Sequence, residues 1–159
     1  MANTQSMCTS FLGELLSATH NFSSANPAQT ASTANTFKAA LYLASATLNA
    51  STTVYSATGE VTGTGYTAGG VTVTGATNPT STNASTTAGV GYWTPSASIT
   101  YSTVTLSTAF DTMLLYNSTQ SNKAVAVYTF GSQTITAGNF TLTMPSNTTT
   151  TALVRLSTT

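Results

Sequence analysis

Residues 110–131 read FDTMLLYNSTQSNKAVAVYTFG, and this stretch decides the fold class. Two runs within it, 110–117 and 123–131, are apolar at both odd and even positions. Such runs are typical of strands that are covered on both faces. The polar NSTQSN between them has the length and composition of a hairpin turn. The stretch therefore predicts two central β-strands joined by a hairpin.

In the region before this hairpin, the alternation of apolar and polar residues changes phase. Ile99 and Tyr101 fall on one face of a strand, whereas Val104 and Leu106 fall on that face only if one residue is inserted. Such an insertion is a β-bulge, and we expect it near Ser102.

Further β patterns extend over the rest of the chain. The predicted strands span residues 36–45, 71–75, 95–107, 110–117, 123–131, 139–145 and 152–157. They are separated by turns rich in Gly, Ser, Thr and Asn, and no helical pattern alternates with them. We therefore expect a mainly β fold, either an antiparallel β-sandwich or a jelly-roll-like barrel, with a short N-terminal helix.

The first twenty residues contain the predicted helix. Its apolar positions recur at spacings of four and three: Met7, Phe11, Leu15 and Ala18. Leu12 and Leu16 are expected to widen this stripe, and Thr4 or Ser6 to cap the helix. Because such a helix needs a surface to pack on, we expect it to dock on its own sheet or on a neighbouring subunit.

The length of 159 residues fits one domain. We expect a single β domain over 1–159. It consists of an N-terminal helix and linker arm over 1–35 and a β-sandwich over 36–159. Residues 77–89 are expected to form an extended loop.

Charged residues make up only 4% of the chain, and the formal net charge is zero. A basic surface for nucleic acid cannot be built from three scattered cations, so no nucleic-acid partner is expected. Near-zero net charge also favours association, which suits a protein that acts in an assembly.

The start of the chain has no Lys or Arg before an apolar segment, so we expect no secretory signal. No run approaches the roughly 20 apolar residues of a membrane span, and no membrane partner is expected. Cys8 is the only cysteine, so no disulfide within the chain is possible.

Residues 60–70 read EVTGTGYTAGG and invite comparison with a phosphate-binding loop. The glycine spacing differs from G-x-G-x-x-G, a strand pattern follows instead of a helix, and no Gly-Lys-Ser/Thr is present. We interpret the glycines as a turn or bulge with positive φ before Val71. Tyr66 is expected to lie over the sheet or to project outward as a contact.

Side chains for catalysis or metal binding are few and scattered. One histidine, one cysteine and three carboxylates lie far apart in the sequence, and no G-x-S-x-G motif occurs. We interpret His20 as a polar residue that ends the helix. Asp111 is expected to be exposed or paired with a basic side chain, and Arg155 to lie on the outer face. We expect no catalytic residue, no metal and no cofactor.

Three segments of the chain are informative through both their sequences and their order: residues 3–22, 36–75 and 113–145. The most specific parts are TGEVTGTGYTAGG (58–70) and LLYN followed by NKAVAVYTFGS (114–132). Together these segments resemble a family of small structural proteins of tailed bacteriophages. The resemblance implies a virion component without catalytic residues. Members of that family carry more charge at the positions of Leu12, Gly13, Ser132 and Gln133.

Taken together, these observations predict a non-enzymatic capsid decoration (cement) protein that binds the major capsid protein shell. It is expected in the virion after assembly in the host cytoplasm, as a homo-oligomer or bound to other virion proteins. The alternatives are a tail, adaptor or fibre-associated component, or a host-surface or glycan-binding module that uses exposed aromatics such as Tyr66, Tyr92, Trp93 and Tyr101. Of these four, Trp93 and Tyr101 are expected in the core. The predicted partner contacts are Tyr66, Phe11, Leu15 and Tyr92, with the N-terminal segment and the 77–89 loop reaching a neighbour.

Overall fold

The computed structural model describes residues 2–23, 34–82 and 89–158. These residues form one helix and eight strands. In chain order the elements are β1 (Ser6–Met7), α1 (Thr9–Leu16), β2 (Phe37–Leu43), β3 (Val71–Thr72), β4 (Thr80–Ser81), β5 (Val90–Trp93), β6 (Ile99–Asn117), β7 (Lys123–Leu142) and β8 (Val154–Ser157). Most of the predicted 21–35 linker and the centre of the predicted 77–89 loop lie outside the described residues.

The strands form two antiparallel sheets. The larger sheet has the order β1-β7-β6-β2-β3, and the smaller sheet has the order β4-β5-β8. The sheets meet where the ring of Trp93 on β5 lies 6.0 Å from the ring of Phe37 on β2. The predicted fold class is confirmed: the protein is mainly β and antiparallel, consistent with a β-sandwich, with one short N-terminal helix.

The hairpin predicted at 110–131 is the centre of the larger sheet. β6 and β7 pair from Asn117 with Lys123, beside the turn, to Ile99 with Leu142 at the open end. Residues 112–117 and 124–127 are buried at both parities, which confirms the covered strands that the apolar runs predicted. The prediction of separate short strands at 95–107 and 110–117, and at 123–131 and 139–145, is wrong, because each pair is one continuous strand.

Bulges explain why the long strands look short in the sequence. Between Tyr101 and Val104 the β6–β7 register shifts, and Thr103 has a φ of 54°. This irregularity is the bulge predicted near Ser102. It returns Val104 to the buried face, where its exposure is 0%. Further register shifts follow at Leu106 and Phe110, so alternation breaks in the sequence without the strand ending.

The helix is shorter than predicted and faces the sheet with a narrower stripe. It begins at Thr9 and is preceded by Cys8 at the N-cap, with no side-chain cap, so the predicted cap at Thr4 or Ser6 is wrong. Leu12 and Leu16 are 48% and 92% exposed and do not widen the buried stripe. Leu12 and Leu16 lie about 100° around the helix from Phe11 and Leu15, and they therefore face away from the sheet.

Residues before the helix join the larger sheet. Ser6 and Met7 pair with Val127 and Ala126 at the edge of β7, and the backbone N–H of Thr4 donates to the carbonyl of Leu48. The predicted arm therefore contributes a strand of its own to the β domain.

Candidate functional site

The helix and the smaller sheet enclose an apolar pocket of about 400 Å³. Phe11 and Leu15, one turn apart on α1, line one side, and Tyr92 and Trp93 of β5 line the other. Phe11 is fully buried, whereas Leu15 and Tyr92 are half-buried. Three of the four predicted contact residues therefore surround one cavity, which we call the α1 pocket. Their contact with a partner stays a prediction.

Aromatic rings that line the α1 pocket pack on one another and on Phe37 behind them. The Phe22 ring stacks on Phe37 at 4.3 Å and lies 4.8 Å from Trp93, and Phe11 meets Phe22 edge to face at 5.9 Å. Pairs of this kind add about 0.5–1.5 kcal/mol each beyond the burial of their area. The rings hold the segment after α1 against the junction of the two sheets. Burial of Trp93, at 3% exposure, confirms its predicted core position.

Beside this pocket lies a polar chain that we call the His20 network: Lys123, Glu14, His20, Asn117 and Asn35. The Glu14 carboxylate accepts from Lys123 Nζ at 2.6 Å and contacts His20 Nε2 at 2.7 Å. The other ring nitrogen of His20 lies 3.1 Å from Asn117 Nδ2. The His20 side chain has 0% exposure, so the prediction that it merely ends the helix is wrong: the helix ends four residues earlier, and His20 connects it to the hairpin.

Opposing effects act on the carboxyl of Glu14. Burial alone would raise its pKa, but the hydrogen bonds from Lys123 and His20 and the positive charge of Lys123 outweigh burial, so the pKa is lowered. Glu14 is therefore ionised at neutral pH and binds both partners as an anion.

The fourth predicted contact residue, Tyr66, lies in a different place. Its hydroxyl donates to the Glu60 carboxylate at 2.7 Å and accepts from the backbone N–H of Leu41 at 3.0 Å. The ring stacks on Tyr101, with 5.9 Å between centroids. Of the two positions predicted for Tyr66, the structure therefore has the one over the sheet.

Glu60 is buried, at 6% exposure, and accepts three hydrogen bonds. The donors are the hydroxyls of Tyr55 and Tyr66 and the backbone N–H of Gly69, at 2.6–2.7 Å. Among the described residues no Lys, Arg or His side chain pairs with Glu60, so neutral donors alone hold this carboxylate. We call Glu60 and its three donors the Glu60 cluster.

Three further tyrosine hydroxyls of the larger sheet donate to backbone carbonyls, and that of Tyr116 fastens the same loop. Tyr116 donates to the carbonyl of Gly69, Tyr101 to that of Ala39, and Tyr42 to that of Ser56. Burial, together with the negative charge of Glu60, raises the pKa of Tyr116 to about 12 and also raises that of Tyr101. These hydroxyls therefore stay protonated as donors across the physiological range.

The glycines of residues 60–70 fit this loop closely against β2. Gly69 and Gly70 have φ values of 86° and 68°. A Cβ on Gly70 would lie 1.7 Å from the carbonyl oxygen of Ala39. The predicted turn with positive φ before Val71 is confirmed, and the close approach of the two backbones requires glycine.

Other candidates for chemistry have partners in the fold. Asp111 accepts from Asn3 Nδ2 at 3.0 Å and from Thr112 Oγ1 at 2.7 Å, rather than pairing with a basic side chain. Arg155 is exposed, as predicted. Within residues 2–23, 34–82 and 89–158, no three His, Cys, Asp or Glu side chains come together in a way that could hold a metal ion.

Sequence reasoning missed the roles of Glu14, Glu60 and His20. One signal was available for Glu60, since it is the one charged residue between Lys38 and Asp111 and tyrosines stand at 55 and 66. The partners of His20 gave no such signal, because Asn117 is 97 residues away.

No family model, curated protein or solved structure matches this chain. In the part of the chain that the structure describes, no helix combines the length and apolar character that crossing a bilayer requires.

Proposed function

We propose that this protein is a non-enzymatic structural component of a bacteriophage virion, and most specifically a capsid decoration (cement) protein. It binds across neighbouring major capsid protein subunits and stabilises the shell. The resemblance of residues 58–70 and 114–132 to small virion proteins supports the phage context. The structure supports the structural role through its nearly uncharged surface.

The observation that carries this proposal is that the acidic side chains have their partners inside the fold. Glu14 pairs with Lys123 and His20, Glu60 is buried among neutral donors, and Asp111 accepts from two neutral side chains. Since only 4% of residues are charged, few formal charges are left for the surface. A neutral surface packs against a capsid without paying to desolvate ions, and it does not repel further copies of itself.

In the proposed mechanism each copy buries surface on the capsid lattice, and these contributions add up over many copies. A cement protein spans two subunits, so shell rupture must first undo its interfaces. A standard interface of ~1,600 Å² per copy is sufficient when many copies act together. The α1 pocket, with Leu15 and Tyr92 at its border, supplies an apolar contact for the capsid protein. Tyr66 contributes by keeping the 60–70 loop rigid.

A tail, adaptor or fibre-associated role is the second candidate from the same particle. The neutral surface suits it equally, and copy number distinguishes the two. A glycan-binding module receives less support. Trp93 and Tyr101 are buried and the hydroxyl of Tyr66 has partners inside the fold, which leaves Tyr92 of the four aromatics considered for it.

Quantitative mass spectrometry of purified particles, combined with cryo-electron microscopy, tests the proposal. Hundreds of copies per particle and density on the head lattice are the expected results. A handful to a few dozen copies, with density confined to the tail, would replace the cement role by the tail role. Absence of the chain from purified particles would overturn both.

A matched pair of substitutions tests the contact surface. Tyr92→Ala alters the border of the α1 pocket, whereas Thr72→Ala alters an exposed position on β3 away from it. Particles that lack the chain are expected to bind added wild-type protein and Thr72→Ala equally, and Tyr92→Ala more weakly. Equal binding of all three would remove the α1 pocket from the capsid interface.

A further inference from the structure

The hydrogen-bond partners of Asn117 fix the direction of its side-chain amide. Its Oδ1 accepts from the backbone N–H groups of Thr119 at 3.1 Å and Gln120 at 3.2 Å. Its Nδ2 donates to Asn35 Oδ1 at 2.7 Å. Asn35 Oδ1 in turn accepts from the backbone N–H of Asn21 at 2.9 Å, so it is an acceptor in both contacts. Asn117 therefore presents N–H donors, and not its oxygen, to His20.

This arrangement determines the protonation of His20. Since Asn117 Nδ2 is a donor, the ring Nδ1 at 3.1 Å from it must be an unprotonated acceptor. The ring Nε2, 2.7 Å from Glu14, then carries the proton and donates it to the carboxylate. His20 is therefore neutral in this structure, with its proton on Nε2.

A second proton on the ring has no acceptor. It would sit on Nδ1 and face the Asn117 amide group, which is also a donor. Rotation of the Asn117 amide would break the hydrogen bonds that its oxygen accepts from the backbone N–H groups of Thr119 and Gln120. It would also turn that oxygen toward Asn35 Oδ1, which is itself an acceptor. The ring is fully buried, at 0% side-chain exposure, and its centroid lies 4.9 Å from that of Phe11 and 6.4 Å from that of Phe37. A protonated ring at this site would therefore also lack the hydration that stabilises its charge in water.

The charged groups that face His20 oppose one another. Glu14 on α1 attracts an imidazolium, but its other oxygen is bound by Lys123 Nζ of β7 at 2.6 Å. The ammonium therefore neutralises much of that attraction. Asn117 and Asn35, from β6 and the segment before β2, are uncharged.

We infer that His20 is an acid-sensitive contact: its protonation separates α1 and residues 17–23 from the end of the β6–β7 hairpin. Phe11 and Leu15 lie on the segment that is released. Mild acid thus opens the α1 pocket, while β1 and the hairpin itself stay paired. The inference concerns the isolated chain and does not depend on the virion role.

Hydrogen exchange followed by mass spectrometry, on the full chain at pH 7.5 and 5.5, tests this inference. After correction for intrinsic exchange rates, protection of residues 9–23 is expected to fall by up to about tenfold at pH 5.5, because only the opened segment gains the free energy of binding a proton to a solvated imidazole, whose pKa is about 6.5. Protection of residues 110–117 is expected to stay constant.

Glu14, whose pKa is lowered, stays ionised across this range. The chain has one histidine, so His20→Gln is expected to abolish the difference. Unchanged or increased protection of 9–23 in acid would overturn the inference.

A nitrogen NMR spectrum of the wild-type ring provides a test that needs no variant. Long-range proton–nitrogen correlations at pH 7.5 distinguish the two neutral forms of the single histidine. The proton is expected on Nε2. A proton on Nδ1 would contradict the arrangement with Asn117 and would refute the inference even if His20→Gln failed to fold.

Discussion

The hydroxyl of Tyr66 donates a hydrogen bond of 2.7 Å to the buried carboxylate of Glu60. The same hydroxyl accepts from the backbone N–H of Leu41 on β2, at 3.0 Å. One oxygen atom therefore closes the 60–70 loop on itself through Glu60 and connects that loop to the larger sheet through Leu41. Because Glu60 has only neutral partners, each of its three hydrogen bonds offsets part of the cost of burying a charge.

Tyr66→Phe removes this oxygen and leaves the Leu41 N–H without its acceptor. We expect the free energy of unfolding to fall by about 1–3 kcal/mol, which corresponds to about 2–4 °C in Tm for each kcal/mol. Urea and thermal unfolding measure the change. Tyr92→Phe is the matched control, because no hydrogen bond of the Tyr92 hydroxyl occurs among the described residues. It is expected to change stability by less than about 0.5 kcal/mol. Equal effects of the two substitutions would show that the Tyr66 hydroxyl is not a structural link.

Two glycine substitutions are expected to act in opposite directions. Gly70→Ala places a Cβ 1.7 Å from the Ala39 carbonyl oxygen at a φ of 68°. It is expected to destabilise the protein by about 2–5 kcal/mol. Gly13→Ala adds a methyl group in the middle of α1, where nothing lies within 4 Å, and is expected to stabilise by about 0.5–1 kcal/mol. Urea denaturation of both variants measures the two signs. A neutral Gly70→Ala would mean that the loop does not approach β2 so closely.

The sequence predicted those parts of the fold that depend on local pattern. Residues 110–117 and 123–131 are apolar at both parities, and this information lies within each strand. The full lengths of β6 and β7 could not be predicted, because bulges at Tyr101, Leu106 and Phe110 shift the alternation without ending the pairing. A phase shift and a strand end look alike until the partner strand is known.

The candidate site was predictable only in its apolar half. Phe11 and Leu15 share a helix face by their spacing, and both line the α1 pocket. The polar half depends on contacts between distant segments, such as Glu14 with Lys123, 109 residues apart. Charged residues in a short helix or a glycine-rich loop are mostly exposed, so burial of Glu60 follows from the closure of its loop and not from its neighbours in sequence.

The free energy of unfolding is expected to fall in acid, because protonation of Glu14 removes its charge. Because its pKa is lowered in the folded state, its contribution is fully present above its ordinary pKa of 4.5 and is lost as pH falls through the lowered value. Urea unfolding of His20→Gln and of the double variant Glu14→Gln/His20→Gln between pH 5 and pH 3 measures this loss, because α1 is expected to stay docked in acid without the histidine. Neither protein contains a histidine, so the difference between them reports Glu14. His20→Gln is expected to be the more stable at pH 5, with the difference shrinking toward pH 3. A constant difference would exclude Glu14 as the group responsible.

The thiol of Cys8 is expected to be unreactive in the folded protein. The residue has 0% exposure, and burial together with the negative charge of Glu14 raises its pKa to about 11. Only about one thousandth of a thiol with this pKa is ionised at pH 8, and the thiolate is the reactive form. Reaction with a chromogenic disulfide reagent is therefore expected to be at least about 100-fold slower in buffer than in concentrated guanidinium. Because Cys8 is the only cysteine, Cys8→Ser gives the background rate. Equal rates for native and unfolded wild-type protein would show that the segment joining β1 to α1 opens readily from β7.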